Sequence, residues 1–308
     1  MVPVYGNEGS IDALLEAIAR LRQGIEGDFE AVFVVDGSPD RSYAKLVDAL
    51  PHAPFRSRLV SLTRNFGAFP AIRVGLSVAT GEHIAVMAAD LQEPPELILR
   101  FHQMLAEGHH DVVFGVRERR DDPWPSTLAS RAFWALYRKL VIPDVPPGGV
   151  DVFAVTRVFR DRLVALGESN SSLLAQLFWL GGRRGFAPYA RARREHGRSA
   201  WTLRKKLRYF ADSVFAFTDL PVRLLIGLGL VSLVFALALG TVTLAAKLTG
   251  VLEVPGYAGT MLVILFFGAL NALGLGVVGT YAWRAFENTK GRPLALVQTD
   301  ERFGGAAS

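Results

Sequence analysis

A chain of 308 residues is long enough for about two domains. With 34 Lys and Arg against 29 Asp and Glu it is mildly basic, at a formal +5, and the absence of cysteine excludes disulfides, Cys-ligated zinc and thiol catalysis. Its apolar half is unevenly placed: residues 1–200 read as an ordinary soluble protein, whereas 222–283 is almost free of charge. Of the partners a basic protein attracts, nucleic acid, anionic lipid and phosphorylated substrates, this favours lipid. Met1 to Tyr5 has neither the basic n-region nor the h-region of a signal peptide, so the catalytic part is expected in the cytoplasm. So few residues precede Pro3 that a longer natural N-terminus would be in keeping.

Val2 to Tyr5 reads as the tail of a strand, followed by Asn7-Glu8-Gly9-Ser10 and a helix marked by Ile11, Leu14, Leu15, Ile18 and Leu21, with Ser10 as its cap. A second strand, Ala31 to Val35, ends in the turn Asp36-Gly37-Ser38-Pro39-Asp40, and a third, Leu59 to Leu62, ends in Arg64-Asn65-Phe66-Gly67. A helix through Ala71, Val74, Gly75 and Val78 leads to the apolar run Ile84 to Ala89. That run delivers Asp90 and Gln92 to a strand end before Pro94-Pro95 stops it. Strands alternating with helical patterns imply βαβ units and a largely parallel sheet, whose carboxyl edge gathers ligands. Oxygen donors such as Asp90 and Gln92 suit a hard cation, so this edge reads as a metal–diphosphate corner; a turn capped by Asp90 is the plainer alternative.

The helix Pro95 to Glu107 and the strand Asp111 to Val116 lead to Arg117-Glu118-Arg119-Arg120, a fork suited to phosphate or a solvated face. Ala132 to Leu140 is an aromatic-rich helix expected to lean on the membrane surface. Val150 to Val155 is a strand, Asp151 reads as a capping carboxylate or an acceptor-side group, and an apolar helix spans Leu173 to Leu180. His83, His109 and His110 have no metal-ligand partners in the sequence. Basic residues crowd 183–208, but Leu203, Leu207, Phe210, Val214 and Phe217 recur at helical spacing, the pattern of an interfacial helix on anionic lipid rather than a nucleic-acid site.

Leu224 to Ala246 and Val254 to Trp283 run for 23 and 30 residues without a charge, and the connection at 247–258 contains only Lys247 and Glu253. About 20 suffice to cross a bilayer. Arg204, Lys205, Lys206, Arg208 and Arg223 on one flank, and Arg284, Lys290 and Arg292 on the other, place both flanks in the cytoplasm. The expected organisation is a catalytic domain at 1–198, amphipathic juxtamembrane helices at 199–221, two transmembrane helices within 222–284 (222–247 and 258–283), and a cytoplasmic tail at 285–308. The location implied is the inner (plasma) membrane, multi-pass, with both termini cytoplasmic.

The order of Pro3-Val4-Tyr5, Asp36-Gly37-Ser38-Pro39-Asp40, Arg64-Asn65-Phe66-Gly67, Asp90-Leu91-Gln92-Glu93-Pro94-Pro95-Glu96, Arg117 to Arg120, the Tyr189/Arg191/Arg194/Gly197/Ser199 spacing, Phe217 to Pro221 and Lys290 to Leu294 resembles family 2 glycosyltransferases of the polyprenyl-phosphate sugar synthase type, over nearly the whole chain. The resemblance implies an α/β, Rossmann-like GT-A domain followed by interfacial helices and a two-helix transmembrane hairpin. It implies a UDP- or GDP-linked sugar donor, a polyprenyl-phosphate acceptor, Mg²⁺ or Mn²⁺, and a homo-oligomer. Carried over residue by residue, Pro3, Tyr5, Asn7, Glu8, Asp36 and Asp90 would hold the donor, and Asp90 with Gln92 the metal. Arg117, Arg120, Arg191, Arg194 and Ser199 would address the acceptor phosphate, with Asp90, Arg117 and Arg194 catalytic.

Three positions depart from the pattern. Asn7 or a shifted Glu8 stands for the carboxylate after Tyr5, Val35 replaces the first Asp of the second-strand turn, and Ala88 stands where a metal-ligand carboxylate is expected. An acceptor phosphate is ionised at neutral pH and needs no general base, so the harder task is to stabilise the departing nucleoside diphosphate. The rival of another class is a membrane scaffold with a degenerate nucleotide-sugar site, which Ala88 and Val35 support. A processive synthase is disfavoured because Gln176-Leu177-Phe178-Trp179 lacks the expected Arg.

Overall fold

The computed structural model describes residues 1–117, 124–150, 152–191, 203–249 and 257–304. Strand β1 (Val2–Val4), helix α1 (Ile11–Gln23), β2 (Glu30–Val35), α2 (Ser42–Ala49), β3 (Arg56–Leu62), α3 (Ala68–Val78), β4 (His83–Ala85) and α4 (Glu96–Ala106) follow one another as βα units. They continue with β5 (Val112–Arg117), α5 (Trp124–Leu140), β6 (Phe153–Thr156), α6 (Arg157–Ala165), α7 (Leu173–Trp179) and β7 (Arg184–Tyr189). Three further helices, α8 (Leu203–Phe217), α9 (Leu220–Leu248) and α10 (Tyr257–Thr289), precede a last strand, β8 (Val297–Phe303).

The strands form two runs of four, β8-β3-β2-β1 and β4-β6-β5-β7, when each run is read from its outer edge inward or outward. Met1 joins them: its amino group donates to Ala85 O at 2.8 Å and its carbonyl accepts from Met87 N at 3.0 Å. β1, β2 and β3 are parallel to one another, as are β5 and β7, while β6 runs against β4 and β5 and β8 runs against β3. The α/β class expected from the sequence is thus present, in a mixed sheet.

Alternation along β2 sets the layers. Phe33 and Val35 face a cluster containing Leu14, Leu46, Leu59 and Phe101, whereas Val32 and Val34 face one containing Leu62, Leu76, Phe114 and Phe178. A strand buried on both faces reads as a continuous apolar run, which is what Ala31 to Val35 shows. Helix α1 covers one face with Ile11, Leu14, Ala17, Ile18 and Leu21, all buried, and its Asp12 and Arg22 lie at the dipole ends that favour them.

Several expectations need correction. The segment 285–308 does not form a simple tail, because Val297–Phe303 pairs antiparallel with β3. The aromatic helix α5 turns its rings inward rather than toward a membrane: Tyr137 is fully buried, stacked on Tyr209 at 6.1 Å, and Phe133 meets Phe210 edge-on at 5.9 Å. The stripe on α8 is therefore split, with Phe210 and the buried Val214 packed within the protein and Leu207 62 % exposed. Tyr137 donates to Ser213 Oγ at 3.3 Å, Ser172 Oγ donates to the Tyr209 hydroxyl at 2.8 Å, and burial holds the Tyr209 hydroxyl well above its ordinary pKa. His83 Nδ1 lies 3.2 Å from that of His102, and no metal-holding cluster forms around them among the described residues; burial, with that neighbour, holds His83 below the ordinary imidazole range.

Helices α9 and α10 are long and apolar enough to cross a membrane, each with an 18-residue stretch of mean hydropathy 2.4. Their domain-proximal ends lie on the same side. α8 runs into α9, and near the end of α10 Arg284 donates to Asp212 Oδ1 at 2.6 Å and to Asn170 O at 3.2 Å, while Asn288 Oδ1 accepts from Ser169 N at 3.0 Å. Leu225 of α9 lies 3.6 Å from where a side chain at Gly274 of α10 would begin, so the two helices approach each other there. The pair is a hairpin.

Candidate active site

The carboxyl ends of the parallel strands fall on one edge, and specific hydrogen bonds pull their loops together. Gly6 N donates to Ser38 Oγ at 2.8 Å, Asn7 N to Ser42 Oγ at 3.2 Å and Glu8 N to Asp40 Oδ2 at 3.0 Å, which fastens the loop after β1 to the turn after β2. Ser10 Oγ donates to Ala89 O at 2.9 Å, which fastens the first loop to the Asp90 corner. Gly37 has φ +57°, and a Cβ there would fall 2.3 Å from the Arg64 carbonyl carbon, so only glycine permits the loops after β2 and β3 to approach this closely.

Asp36 is buried, and its oxygens accept from Phe66 N at 2.7 Å and Gly67 N at 2.8 Å. It thus clamps the β3 loop. Pro3 sits in the ladder opposite Val34, and Tyr5 is 47 % exposed just past the strand end. Asn7 Oδ1 accepts from Tyr5 N at 3.0 Å and Glu8 Oε2 from Arg41 N at 3.2 Å, so both side chains shape the loop.

Asp40 organises this wall, although the sequence reading gave it no role. Burial pushes its carboxyl up, but hydrogen bonds from Ser38, Ser42 and Glu8 N outweigh it and bring the pKa from 3.8 down to about 2. A depressed carboxylate contributes stability that is present above the ordinary value and lost as pH falls from 3.8 toward about 2. Asp40→Asn is expected to flatten the acid-side fall of the thermal midpoint across that window; an unchanged acid limb would show that Asp40 does not carry it.

At the corner itself Asp90 is half-buried and Gln92 is buried. Leu91 between them has φ 53°, the only non-glycine residue with positive φ among the described residues. Such strain collects at functional sites, and here it folds Gln92 N back toward Asp90 Oδ1 at 3.4 Å. Gln92 Oε1 accepts from Arg191 Nη2 at 2.5 Å, and Arg191 Nε lies 3.8 Å from buried Glu93 Oε1. Arg117 ends β5 opposite Tyr189 in the register of β7, two residues before Arg191, so both cations stand at the same edge as Asp90. Arg120, Asp151, Arg194 and Ser199 lie outside the described residues.

The structure therefore brings Pro3, Tyr5, Asn7, Glu8, Asp36, Asp90, Gln92, Arg117 and Arg191 to one edge. The sequence reading missed Ser38, Asp40 and Ser42 as wall residues, although their density of short polar side chains in one turn was a visible signal. It also missed the Gln92–Arg191–Glu93 contact, for which 99 residues of separation leave no local signal. As a donor set, one carboxylate and one amide fit a hard divalent cation that takes its remaining oxygens from phosphates and water.

An α/β sheet with loops gathered in this way, one acidic corner and arginines beside it, is the GT-A layout of a sugar transferase. The chain belongs to glycosyl transferase family 2, whose pattern matches residues 1–165. It is 29 % identical over 298 residues to an uncharacterized glycosyltransferase of Synechocystis sp., covering 96 % of this chain and 93 % of that one. It is 27 % identical over 299 residues to the bactoprenol glucosyl transferase of Shigella phage SfX, covering 97 % and 98 %. Among solved structures, glucosyl-3-phosphoglycerate synthase from Mycobacterium tuberculosis in complex with Mn²⁺, UDP and glucosyl-3-phosphoglycerate aligns with a TM-score of 0.46 at 17 % identity, over 70 % of this chain and 76 % of that one.

Proposed function

We propose that this glycosyltransferase moves one sugar, with inversion, from a UDP- or GDP-linked donor to a polyprenyl phosphate at the cytoplasmic leaflet, in the making or modification of cell-envelope glycans. The observation that carries the reading is the joining of the Asp90–Gln92 corner and the Arg117–Arg191 pair at one sheet edge to a domain whose next elements are two membrane-length helices. The full-length likeness to a protein named for bactoprenol glucosyl transfer supports it.

In this reading the loop after β1 and the turn after β2 hold the nucleotide, with Tyr5 against the base. Asp90 and Gln92 would hold Mg²⁺ or Mn²⁺, which supplies charge stabilisation for the departing diphosphate. Arg117 and Arg191 neutralise phosphate oxygens, with Arg120, Arg194 and Ser199 added from the adjoining segments. Because Gln92 Oε1 accepts from Arg191, Asp90 would be the principal protein oxygen donor to a bound cation. The acceptor phosphate attacks as an anion, so no residue has to remove a proton. The positive flanks of the hairpin, and the attachment of both of its ends to the catalytic domain, keep domain and termini on the cytoplasmic side.

Purified protein in detergent, given polyprenyl phosphate and a panel of nucleotide sugars with Mg²⁺ or Mn²⁺, is expected to yield a lipid-linked monosaccharide with one donor. No lipid-linked product with any donor, together with donor binding indifferent to Asp90→Ala, would favour a nucleotide-sugar-binding scaffold instead.

A further inference from the structure

Gln92 is the neutral member of the oxygen-donor pair at the Asp90 corner, and its oxygen is already engaged. Gln92 Oε1 accepts from Arg191 Nη2 at 2.5 Å, a short charge-assisted contact. Glu93, which is buried, lies with Oε1 3.8 Å from Arg191 Nε. A buried carboxylate keeps a guanidinium beside it, because separating the two would leave a buried charge uncompensated. Arg191 is nonetheless held loosely: its side chain is 30 % exposed, the Glu93 contact is long, and its buried Nε makes no hydrogen bond.

A guanidinium is charged at every pH at which the protein is folded, and a divalent cation placed on the same amide oxygen would be repelled by it. What each competitor gains decides which one holds Gln92. Without donor, a cation meets one carboxylate at the turn, Asp90, since residue 88 is alanine. Arg191 is tethered two residues beyond β7 and drawn by Glu93, so its local concentration is high and it keeps the amide oxygen. A donor changes both sides of this competition. Its diphosphate gives Arg191 an anionic acceptor that the planar fork can engage through two nitrogens, and it gives a cation further oxygens.

We propose that Arg191 is a positioning residue that withholds Gln92 from the cation until the donor diphosphate draws its guanidinium away. In the donor-free site only Asp90 serves a cation, and Gln92 joins it in the donor complex. Metal and nucleotide sugar then bind cooperatively, and part of the coupling passes through Arg191. The inference rests on the reading of Asp90 and Gln92 as the metal corner.

The test measures the Mn²⁺ affinity of the full chain in detergent, with and without UDP or GDP. It is read from the paramagnetic signal of free Mn²⁺ and from water-proton relaxation by bound Mn²⁺, which reports weak sites. Without nucleotide, Gln92→Ala is expected to change the affinity by less than about twofold, and with the nucleotide that binds to lower it about tenfold. Arg191→Met removes the competitor, so in that protein Gln92→Ala is expected to cost about tenfold without nucleotide as well. A through-space effect of the lost charge acts on both members of this cycle and cancels. Gln92→Met takes the place of Gln92→Ala should the latter fail to fold. Donor-free affinity that falls about tenfold with Gln92→Ala while Arg191 is present, or a Gln92 effect that Arg191→Met leaves unchanged, overturns the inference. Mn²⁺ binding that is indifferent to Asp90→Ala in the presence of nucleotide overturns the metal corner itself. Dependence on Asp90 together with either of the former results overturns only the role of Arg191.

Discussion

Asparagine in place of Asp90 is expected to lower sugar transfer by at least ~100-fold, the scale on which removing one well-placed electrostatic stabiliser acts. The substitution keeps shape and removes charge, so the protein should fold and unfold as before. Asp90 is the one carboxylate directly at the turn, since Ala88 and Ala89 precede it and Glu93 is buried beside Arg191. With a single carboxylate, a bound cation would depend on phosphate oxygens and water for the rest of its shell, so metal should bind weakly without donor and much more tightly with it. Ala88→Asp adds a second carboxylate and is expected to raise Mn²⁺ affinity roughly tenfold, read by the paramagnetic signal of free Mn²⁺. If Ala88→Asp leaves that affinity unchanged and Asp90→Asn retains full activity, Asp90 is not the metal ligand.

What the sequence disclosed and what it concealed follow from the range of the interactions. Strand ends such as Val35-Asp36 and the Asp90 corner are local: an apolar run stops, a turn-forming residue follows, and the βα order places them on one edge. The apolar spans of α9 and α10 are equally plain from length and charge. Periodicity on α8 revealed that one face is apolar but not what covers it, and Phe133 and Tyr137 of α5 cover part of what reads as a lipid face. β7 hid within a basic stretch. Its buried residues, Gly185, Ala187 and Tyr189, alternate with Arg184, Phe186 and Pro188, and a proline is tolerated because β7 is an edge strand. Asp36 was legible as important but not as a clamp on Phe66 and Gly67, because those partners lie 30 and 31 residues away.

The strand furthest from sequence-based notice carries the second large expectation. Val297–Phe303 reads as polar and unremarkable, Gln298, Asp300 and Arg302 alternating with its other residues, because an edge strand needs only one inward face and a partner. That partner, β3, is about 240 residues distant, as the separation of 242 between Arg58 and Asp300 shows. Arg58 grips Asp300 through two bonds, of 2.7 and 2.6 Å, which hold the Asp300 carboxyl below its ordinary pKa, and Tyr43 donates to Glu301 Oε1 at 2.7 Å. Ending the chain after Arg292 removes these contacts and the ladder and leaves β3 with an unpaired edge. The expected loss is roughly 3–5 kcal/mol, a large part of a domain's margin, seen as a marked drop of the thermal midpoint in detergent. Asp300→Asn, which keeps the ladder and weakens one partly exposed ion pair, should cost only about 1 kcal/mol or less. Because β8 follows α10 directly and α8 leads directly into α9, the catalytic domain grips the hairpin at both ends. Truncation should therefore release one grip and leave the active edge less firmly held at the membrane, lowering transfer to a bilayer-embedded acceptor more than donor binding. An unaltered midpoint in the truncated protein would mean that β8 only rests on the sheet.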